Sequence, residues 1–99
     1  MKNVKPIARY VMSARDDMLN VIPEVQERMA ECDDPEMDLK FWRDYARHAI
    51  KEDYQRAFGA LVYANVYEKT ISNEEYELLV DEIFITWDRV DKAIWREIC

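Results

Sequence analysis

The last part of the chain carries an apolar repeat that strongly favours a packed helix. Apolar residues recur there at intervals of four, three, four, three and four: Tyr76, Val80, Ile83, Trp87, Val90 and Ile94. This alternation keeps one stripe of an α-helix facing its neighbours in a left-handed bundle. Further apolar residues widen the stripe: Leu79, Phe84, Trp95 and Ile98. A stripe this wide predicts packing against more than one other helix.

The start of this last helix is also visible in the sequence. Ser72 stands three residues before Glu75, which is the spacing of a capping box. In that motif the serine hydroxyl accepts from the amide of the glutamate, and the glutamate carboxylate accepts from the amide of the serine. We therefore expect the helix to begin at Ser72.

Composition restricts the rest of the chain to helices. The chain has 99 residues, of which 49% are hydrophobic, enough for one domain with its own core. One glycine and three prolines leave few positions for the tight turns of a strand-rich fold. We therefore predict a single all-α domain over residues 1–99, an antiparallel three-helix bundle.

The first helix is predicted from Pro6, which suits a first helical turn because its missing amide has no partner there. Apolar residues again alternate at three and four: Val4, Ile7, Val11, Ala14, Met18, Val21 and Val25. Pro23 interrupts this run and removes one backbone hydrogen bond. We expect it to kink the helix, or to split the helix near Asn20 and make a four-helix bundle.

The second helix is predicted to run from Pro35, capped by Asp34, to about Lys69, because no strong breaker intervenes. A helix of that length spans roughly 50 Å at 1.5 Å per residue. Gly59 lies inside it, and we expect either close packing of a bulky aromatic against this glycine or a break there. The link through Thr70 is short, so the last helix should return antiparallel.

Charge alternates along the chain in a way that suits this topology. Residues 1–15 carry four basic groups and no acidic one, whereas residues 16–38 carry nine acidic groups and one basic. We expect the basic start of the first helix beside the acidic start of the last helix. Its acidic end should lie beside Lys40, Arg43 and Arg47.

The overall charge excludes some classes of partner. A formal charge of −7 argues against direct binding to nucleic acid and against binding to an anionic membrane surface. The sequence has no run of eighteen apolar residues and no signal-peptide core. The two cysteines, Cys32 and Cys99, suit free thiols in a reducing compartment, so we expect a cytoplasmic protein.

Candidate catalytic groups are sparse. His48 is the single histidine, and with Glu52 one turn later it is typical of a surface pair. We expect no cofactor and no metal. The alternative is a metal-dependent nucleotide phosphohydrolase, in which carboxylates of the last helix hold the metal: Glu74, Glu75, Glu77, Asp81, Glu82, Asp88 and Asp91.

Aromatic residues give the main functional hypothesis. Twelve are present, more than a three-helix core can be expected to bury, and exposed aromatics anchor protein interfaces. We predict a non-enzymatic protein that binds another protein, as an inhibitor or nucleic-acid mimic, through an acidic and aromatic face. The predicted face consists of Phe41, Trp42, Tyr45, Tyr63, Tyr67, Glu74, Glu77 and Asp81.

The predicted length of the second helix also suggests self-association. At about 35 residues it would outrun neighbours of about 26 residues and leave apolar groups uncovered at both ends. A two-fold homodimer covers such a patch with one self-complementary surface. We expect Trp42→Glu or Tyr67→Glu to dissociate this homodimer into monomers.

Overall fold

The chain folds into three helices, which the computed structural model describes over residues 5–98. They are α1 (Pro6–Glu31), α2 (Leu39–Val62) and α3 (Asn73–Glu97), and a π-helical turn (Tyr63–Glu68) continues α2. Every helix packs against the other two, and residues 5–98 contain no strand. The predicted all-α, antiparallel three-helix bundle is confirmed.

The core between the helices is almost entirely aliphatic. Its largest fully buried side chains are Met18, Ile50, Leu61, Ile83, Ile94, Ile98, Val11 and Val25. Trp42 is the one buried aromatic residue of the described chain. The predicted stripe of α3 is correct except at its edges, because Phe84 and Trp95 are 51% and 50% exposed.

Helix α1 continues through Pro23 without interruption, so the four-helix alternative is wrong. Pro23 is exposed, and it removes only one backbone hydrogen bond from the helix. Buried Ile22 and Val25 hold the helix against the core on both sides of the proline. Tertiary packing therefore maintains the helix across this position.

Helix α2 begins four residues later than predicted. Asp38 is the N-cap, and its carboxylate accepts a hydrogen bond of 2.9 Å from the amide of Phe41. Asp34 instead forms a turn: its side chain accepts from the amide of Glu36 at 2.9 Å, and its carbonyl accepts from Met37 at 3.1 Å. Both aspartates have local capping chemistry, and the fold uses the second to start the helix.

The end of α2 departs from regular α geometry. Its last turn is π-helical, and Lys69 then adopts a left-handed conformation with φ 57°. The amide of Thr70 donates to the carbonyl of Ala64 at 2.9 Å and closes the helix end. Together the α and π segments span 30 residues (Leu39 to Glu68), fewer than the predicted 35, so α2 extends less far past its neighbours.

Gly59 lies inside α2, so the predicted break does not occur. The predicted close packing is also wrong: Gly59 is exposed, and a Cβ built on it would have no atom of another element within 4 Å. No neighbouring atom would be displaced by an alanine side chain at this position.

The predicted capping box of α3 is confirmed. The hydroxyl of Ser72 accepts from the amide of Glu75 at 3.1 Å, and the carboxylate of Glu75 accepts from the amide of Ser72 at 2.8 Å. The ammonium of Lys5 adds bonds to the same carboxylate at 2.9 Å and to the carbonyl of Thr70 at 3.0 Å. This group ties the start of α1 to the start of α3.

The predicted charge pairing is half correct. The basic start of α1 does meet the acidic first half of α3, through Lys5 with Glu75 and through Arg15 with Glu82 at 3.0 Å. The acidic end of α1 does not pair with the three basic residues of α2 that were predicted for it, Lys40, Arg43 and Arg47. Lys40 bonds Asp44 of its own helix, and the other two reach α3: Arg43 donates to the carbonyl of Ile98 and Arg47 pairs with Asp91.

The exposed Gly59 predicts that Gly59→Ala stabilises the domain. Alanine adds no clash at this site, and in a helix interior it is favoured over glycine by about 1 kcal/mol. Urea unfolding should show a higher midpoint with an unchanged slope. A lower midpoint would mean that the glycine serves a packing or conformational need.

The Glu75 carboxylate predicts a pH-dependent part of the stability. Its hydrogen bond from the Ser72 amide, followed by its bond from Lys5, lowers the pKa of Glu75. Stability from this group is therefore fully present above the ordinary glutamate pKa and is lost as pH falls through the lowered pKa of the folded state. Glu75→Gln should destabilise at neutral pH, and the deficit should shrink in acid.

The matched control for that pH series is Glu74→Gln. Both glutamates lie in the first turn of α3 and share its helix dipole, but Glu74 has no ion pair with another described residue. Thermal melts from neutral to acid pH should give the larger pH-dependent loss for Glu75→Gln. Equal losses in the two variants would assign the effect to the helix dipole alone.

Candidate functional site

Most aromatic side chains of this protein are at its surface. Of the twelve in the sequence, eight are classed as exposed: Tyr10, Phe41, Tyr45, Phe58, Tyr63, Tyr67, Phe84 and Trp95. The prediction that a three-helix core cannot bury them all is therefore confirmed. The candidate functional residues lie among these groups.

Three exposed aromatics at the end of the bundle that holds the π-helical turn form what we call the tyrosine cluster, Tyr10, Tyr63 and Tyr67. The rings of Tyr63 and Tyr67 stack with centroids 5.7 Å apart and planes 27° apart. They are 56% and 72% exposed. Tyr10, from α1, borders the same surface. The sequence predicted Tyr63 and Tyr67 as site residues but gave no signal for Tyr10.

Two members of the tyrosine cluster, Tyr10 and Tyr63, line a shallow, open recess between α1 and the end of α2. Its lining is apolar apart from one carboxylate and the tyrosine hydroxyls: Pro6, Ile7, Tyr10, Ala60, Tyr63 and Glu68. Exposed Val66 follows on the π-helical turn. The recess can receive an apolar side chain, and the rim offers hydrogen-bonding groups.

The local backbone explains why the two tyrosines share one face. Tyr63 to Glu68 form a π-helical turn, in which hydrogen bonds join residues five apart. Side chains four residues apart are neighbours on an α-helix, and Tyr63 and Tyr67 remain in contact within the π-helical turn. Single π-helical turns occur frequently at functional sites.

Tyr10 is held in place by Arg56 of α2. The guanidinium lies 5.4 Å from the centre of the Tyr10 ring. The same guanidinium bonds Asp53 at 3.2 Å and also pairs with Asp17. Its hydrogen bond with Tyr10 is the largest cause that raises the pKa of Arg56, whereas burial raises the pKa of Asp53.

The predicted aromatic residues near the start of α2 form a second, separate cluster. The Phe41 and Trp42 rings meet edge to face at 5.1 Å, and Tyr45 lies 6.0 Å from Trp42. Phe41 and Tyr45 are 38% and 41% exposed, but Trp42 is buried and belongs to the core. The prediction of Trp42 as a surface residue is not supported by its burial.

The predicted face therefore does not form one aromatic surface. Tyr45 and Tyr63 are separated by eighteen residues of one continuous helix, about 27 Å along its axis. The predicted acidic residues lie on a different helix, exposed on the solvent side of α3: Glu74, Glu77 and Asp81. No ion pair within residues 5–98 engages any of these three.

A further row of aromatic rings crosses from α2 to α3. Neighbouring centroids are about 6 Å apart along Phe58, Tyr54, Trp87 and Phe84. The sequence signal was present, since Tyr54 and Phe58 are four residues apart and Phe84 and Trp87 three apart. That spacing does not show which face of α2 packs against which face of α3.

Four of the seven carboxylates proposed for metal binding are engaged in other contacts. Glu75 caps α3, and three others form ion pairs: Glu82 with Arg15, Asp88 with Lys92, and Asp91 with Arg47. In the described part of the chain, no three His, Cys, Asp or Glu side chains are grouped so that they could hold a metal. The phosphohydrolase alternative gains no support from this arrangement.

The remaining reactive side chains are placed as follows. His48 and Glu52 are exposed, with Nε2 and Oε1 3.5 Å apart, as expected of a surface pair. Cys32 is a free, half-buried thiol whose Sγ lies 3.5 Å from the Met37 sulfur. Cys99 lies outside the described residues, so the prediction that both thiols stay free remains a prediction.

Comparison with known proteins gives no relative. No family model, curated protein or solved structure matches this chain. Over residues 5–98, no helix is both long enough and apolar enough to span a membrane. The function therefore has to be inferred from the exposed surfaces.

Burial predicts a large loss of stability for one and a small change for the other of two substitutions that were both expected to separate a dimer. Trp42→Glu places a charge in the core and should cost at least about 3 kcal/mol of folding free energy. Tyr67→Glu changes a 72% exposed residue and should alter stability by less than about 0.5 kcal/mol. Urea unfolding followed by circular dichroism measures both. Equal stability of the two variants would contradict the burial assignment.

Proposed function

We propose that this chain is a non-enzymatic protein-binding module that holds a partner protein at the tyrosine cluster. The observation that carries the proposal is the stacked, highly exposed pair Tyr63 and Tyr67 beside an apolar recess. Isolated apolar side chains are normal on protein surfaces, but a contiguous group of aromatics is typical of an interaction site.

The chemistry of this group suits protein recognition. Tyrosine combines a large apolar ring with a hydroxyl, and few of its torsions are lost on binding, so it is common among residues that dominate binding energy. Tyr63 and Tyr67 lie on a helix that is continuous with α2, which holds them in fixed positions before binding. A partner would insert an apolar side chain into the recess and contact the rings beside it.

Charge indicates the kind of partner. The chain has a formal charge of −7, and Glu68 lines the recess. A partner with basic residues around an apolar anchor would be attracted over a distance and would pair with this rim. The proposed partner is therefore a protein with a basic binding surface. Direct contact with nucleic acid or membrane is not part of the proposal.

Inhibition is one outcome of such binding, but nucleic-acid mimicry has less support. Mimicry requires a sustained row of carboxylates. On the solvent side of α3 the unpaired acidic residues end at Asp81, and basic Arg89 and Lys92 follow. The aromatic surface is thus the better-supported contact. The cytoplasmic location expected from the cysteines stays a prediction.

The test is affinity capture from a lysate of the source cell with the purified chain, compared across matched variants. Tyr63→Ala with Tyr67→Ala removes the tyrosine pair, and Phe41→Ala with Tyr45→Ala removes two aromatics at the other end of α2. Mass spectrometry should identify a protein that wild type and the second variant retain and the first loses.

Titration calorimetry with that partner then measures how much the binding free energy changes in each double variant. Loss of the two tyrosines should weaken binding by about 2 kcal/mol or more, as expected for central interface aromatics. Equal binding by both double variants, or loss in the Phe41 and Tyr45 variant alone, would contradict the proposed surface. Circular dichroism must show native helicity in both.

A further inference from the structure

The solvent side of α3 has a charge pattern that the binding proposal does not use. An exposed stripe runs along the helix, and we call it the outer stripe: Glu74, Leu78, Asp81, Ile85, Arg89, Lys92 and Arg96. Leu78 and Ile85 are 71% and 54% exposed, although both are large aliphatic residues. The first half of the stripe is acidic and the second half basic.

The outer stripe is symmetric about Ile85. Asp81 and Arg89 each lie four residues from Ile85, and Leu78 and Lys92 each lie seven. Glu74 and Arg96 each lie eleven residues away. Residues at these separations return to the same side of an α-helix, within about one side-chain width. Each acidic position thus has a basic counterpart at equal distance from the centre.

A second α3 helix laid antiparallel across this stripe would place each acidic residue of the stripe opposite a basic one. With the two-fold axis at Ile85, Asp81 would face Arg89 of the partner subunit, and Glu74 would face the partner's Arg96. Leu78 would be covered by the aliphatic part of the partner's Lys92. A parallel arrangement would oppose acid to acid and base to base. Charge complementarity therefore selects one orientation.

Several of these groups lack partners within one chain. No ion pair joins Asp81, Glu74 or Arg89 to another side chain of residues 5–98. Lys92 bonds Asp88 of its own helix at 2.9 Å, which leaves its aliphatic part along the stripe. Two-fold symmetry would use each contact twice, and Ile85 would pack on its own copy.

We infer that the outer stripe of α3 is a homodimer interface in which two copies of this chain pair antiparallel about Ile85. The sequence analysis expected a homodimer through the ends of α2, and the proposed interface lies instead on the solvent side of α3. This contact is distinct from the tyrosine cluster, which would remain free on each subunit.

The experiment reverses one charge at a time and then mixes the variants. Asp81→Arg and Arg89→Asp each place like charges opposite one another twice per dimer. Each should weaken self-association by at least about tenfold in sedimentation equilibrium. In an equimolar mixture, the two variants offer each other only opposite charges. Native mass spectrometry should then show dimers that contain one copy of each.

Matched controls are Glu24→Arg and Arg9→Asp, which make similar charge changes on exposed residues of α1. Both should dimerise like wild type, as should Tyr67→Glu. Ile85→Asp provides a second disruption at the centre of the stripe. Circular dichroism on every variant verifies folding.

Three outcomes would overturn the interface. One is a single wild-type species near 11.9 kDa at every concentration. Another is dimerisation of the single variants as strong as wild type. The third is a mixture that dimerises no better than its components. Failure of the partner-binding proposal would appear separately, because it is measured with the tyrosine variants and leaves these results unchanged.

Discussion

The packing of aliphatic side chains in the core determines which aromatic side chains of this protein are left at the surface. Five of the buried core residues are alanines, and the other buried hydrophobic residues are aliphatic apart from Met18 and Trp42. Trp42 alone among the aromatics fits inside this core. Since each helix packs against the other two around this one core, the other aromatics of the described chain lie at the edge of the core or at the surface. The exposed aromatic surface is thus the counterpart of a core that holds one aromatic side chain among residues 5–98.

The two ends of the bundle are organised differently. At one end, Lys5 and the capping box of α3 join the beginnings of two helices, and the π-helical turn of α2 closes beside them. The tyrosine cluster lies at this end. At the other end, Arg43 reaches the carbonyl of Ile98, and its guanidinium lies 5.1 Å from the Trp95 ring. Aromatics there contact basic groups of the same chain, whereas Tyr63 and Tyr67 contact chiefly each other. This difference favours the tyrosine cluster as the free binding surface.

The two proposed surfaces are compatible with each other. The tyrosine cluster is formed by α1 and the end of α2, whereas the outer stripe consists of exposed residues of α3. A dimer through α3 would carry two tyrosine clusters and could hold two copies of a partner, or one partner with two sites. Such bivalence raises the effective concentration of the second contact once the first has formed.

Local signals in the sequence predicted the three helices and the starts of α1 and α3. The capping box at Ser72, the start at Pro6 and the apolar periods depend on residues within one or two helical turns, so the sequence alone could predict them.

Other features depend on which helices pack together. Phe41 and Trp42 are adjacent and chemically alike, yet only Trp42 points into the core. Asp34 and Asp38 are both able to cap, and the link between α1 and α2 decided between them. No signal in the sequence predicted the π-helical turn or the open surroundings of Gly59. The half-exposed Phe84 and Trp95 depend on which helices pack together, because burial is set by the neighbours that a residue meets in the folded chain.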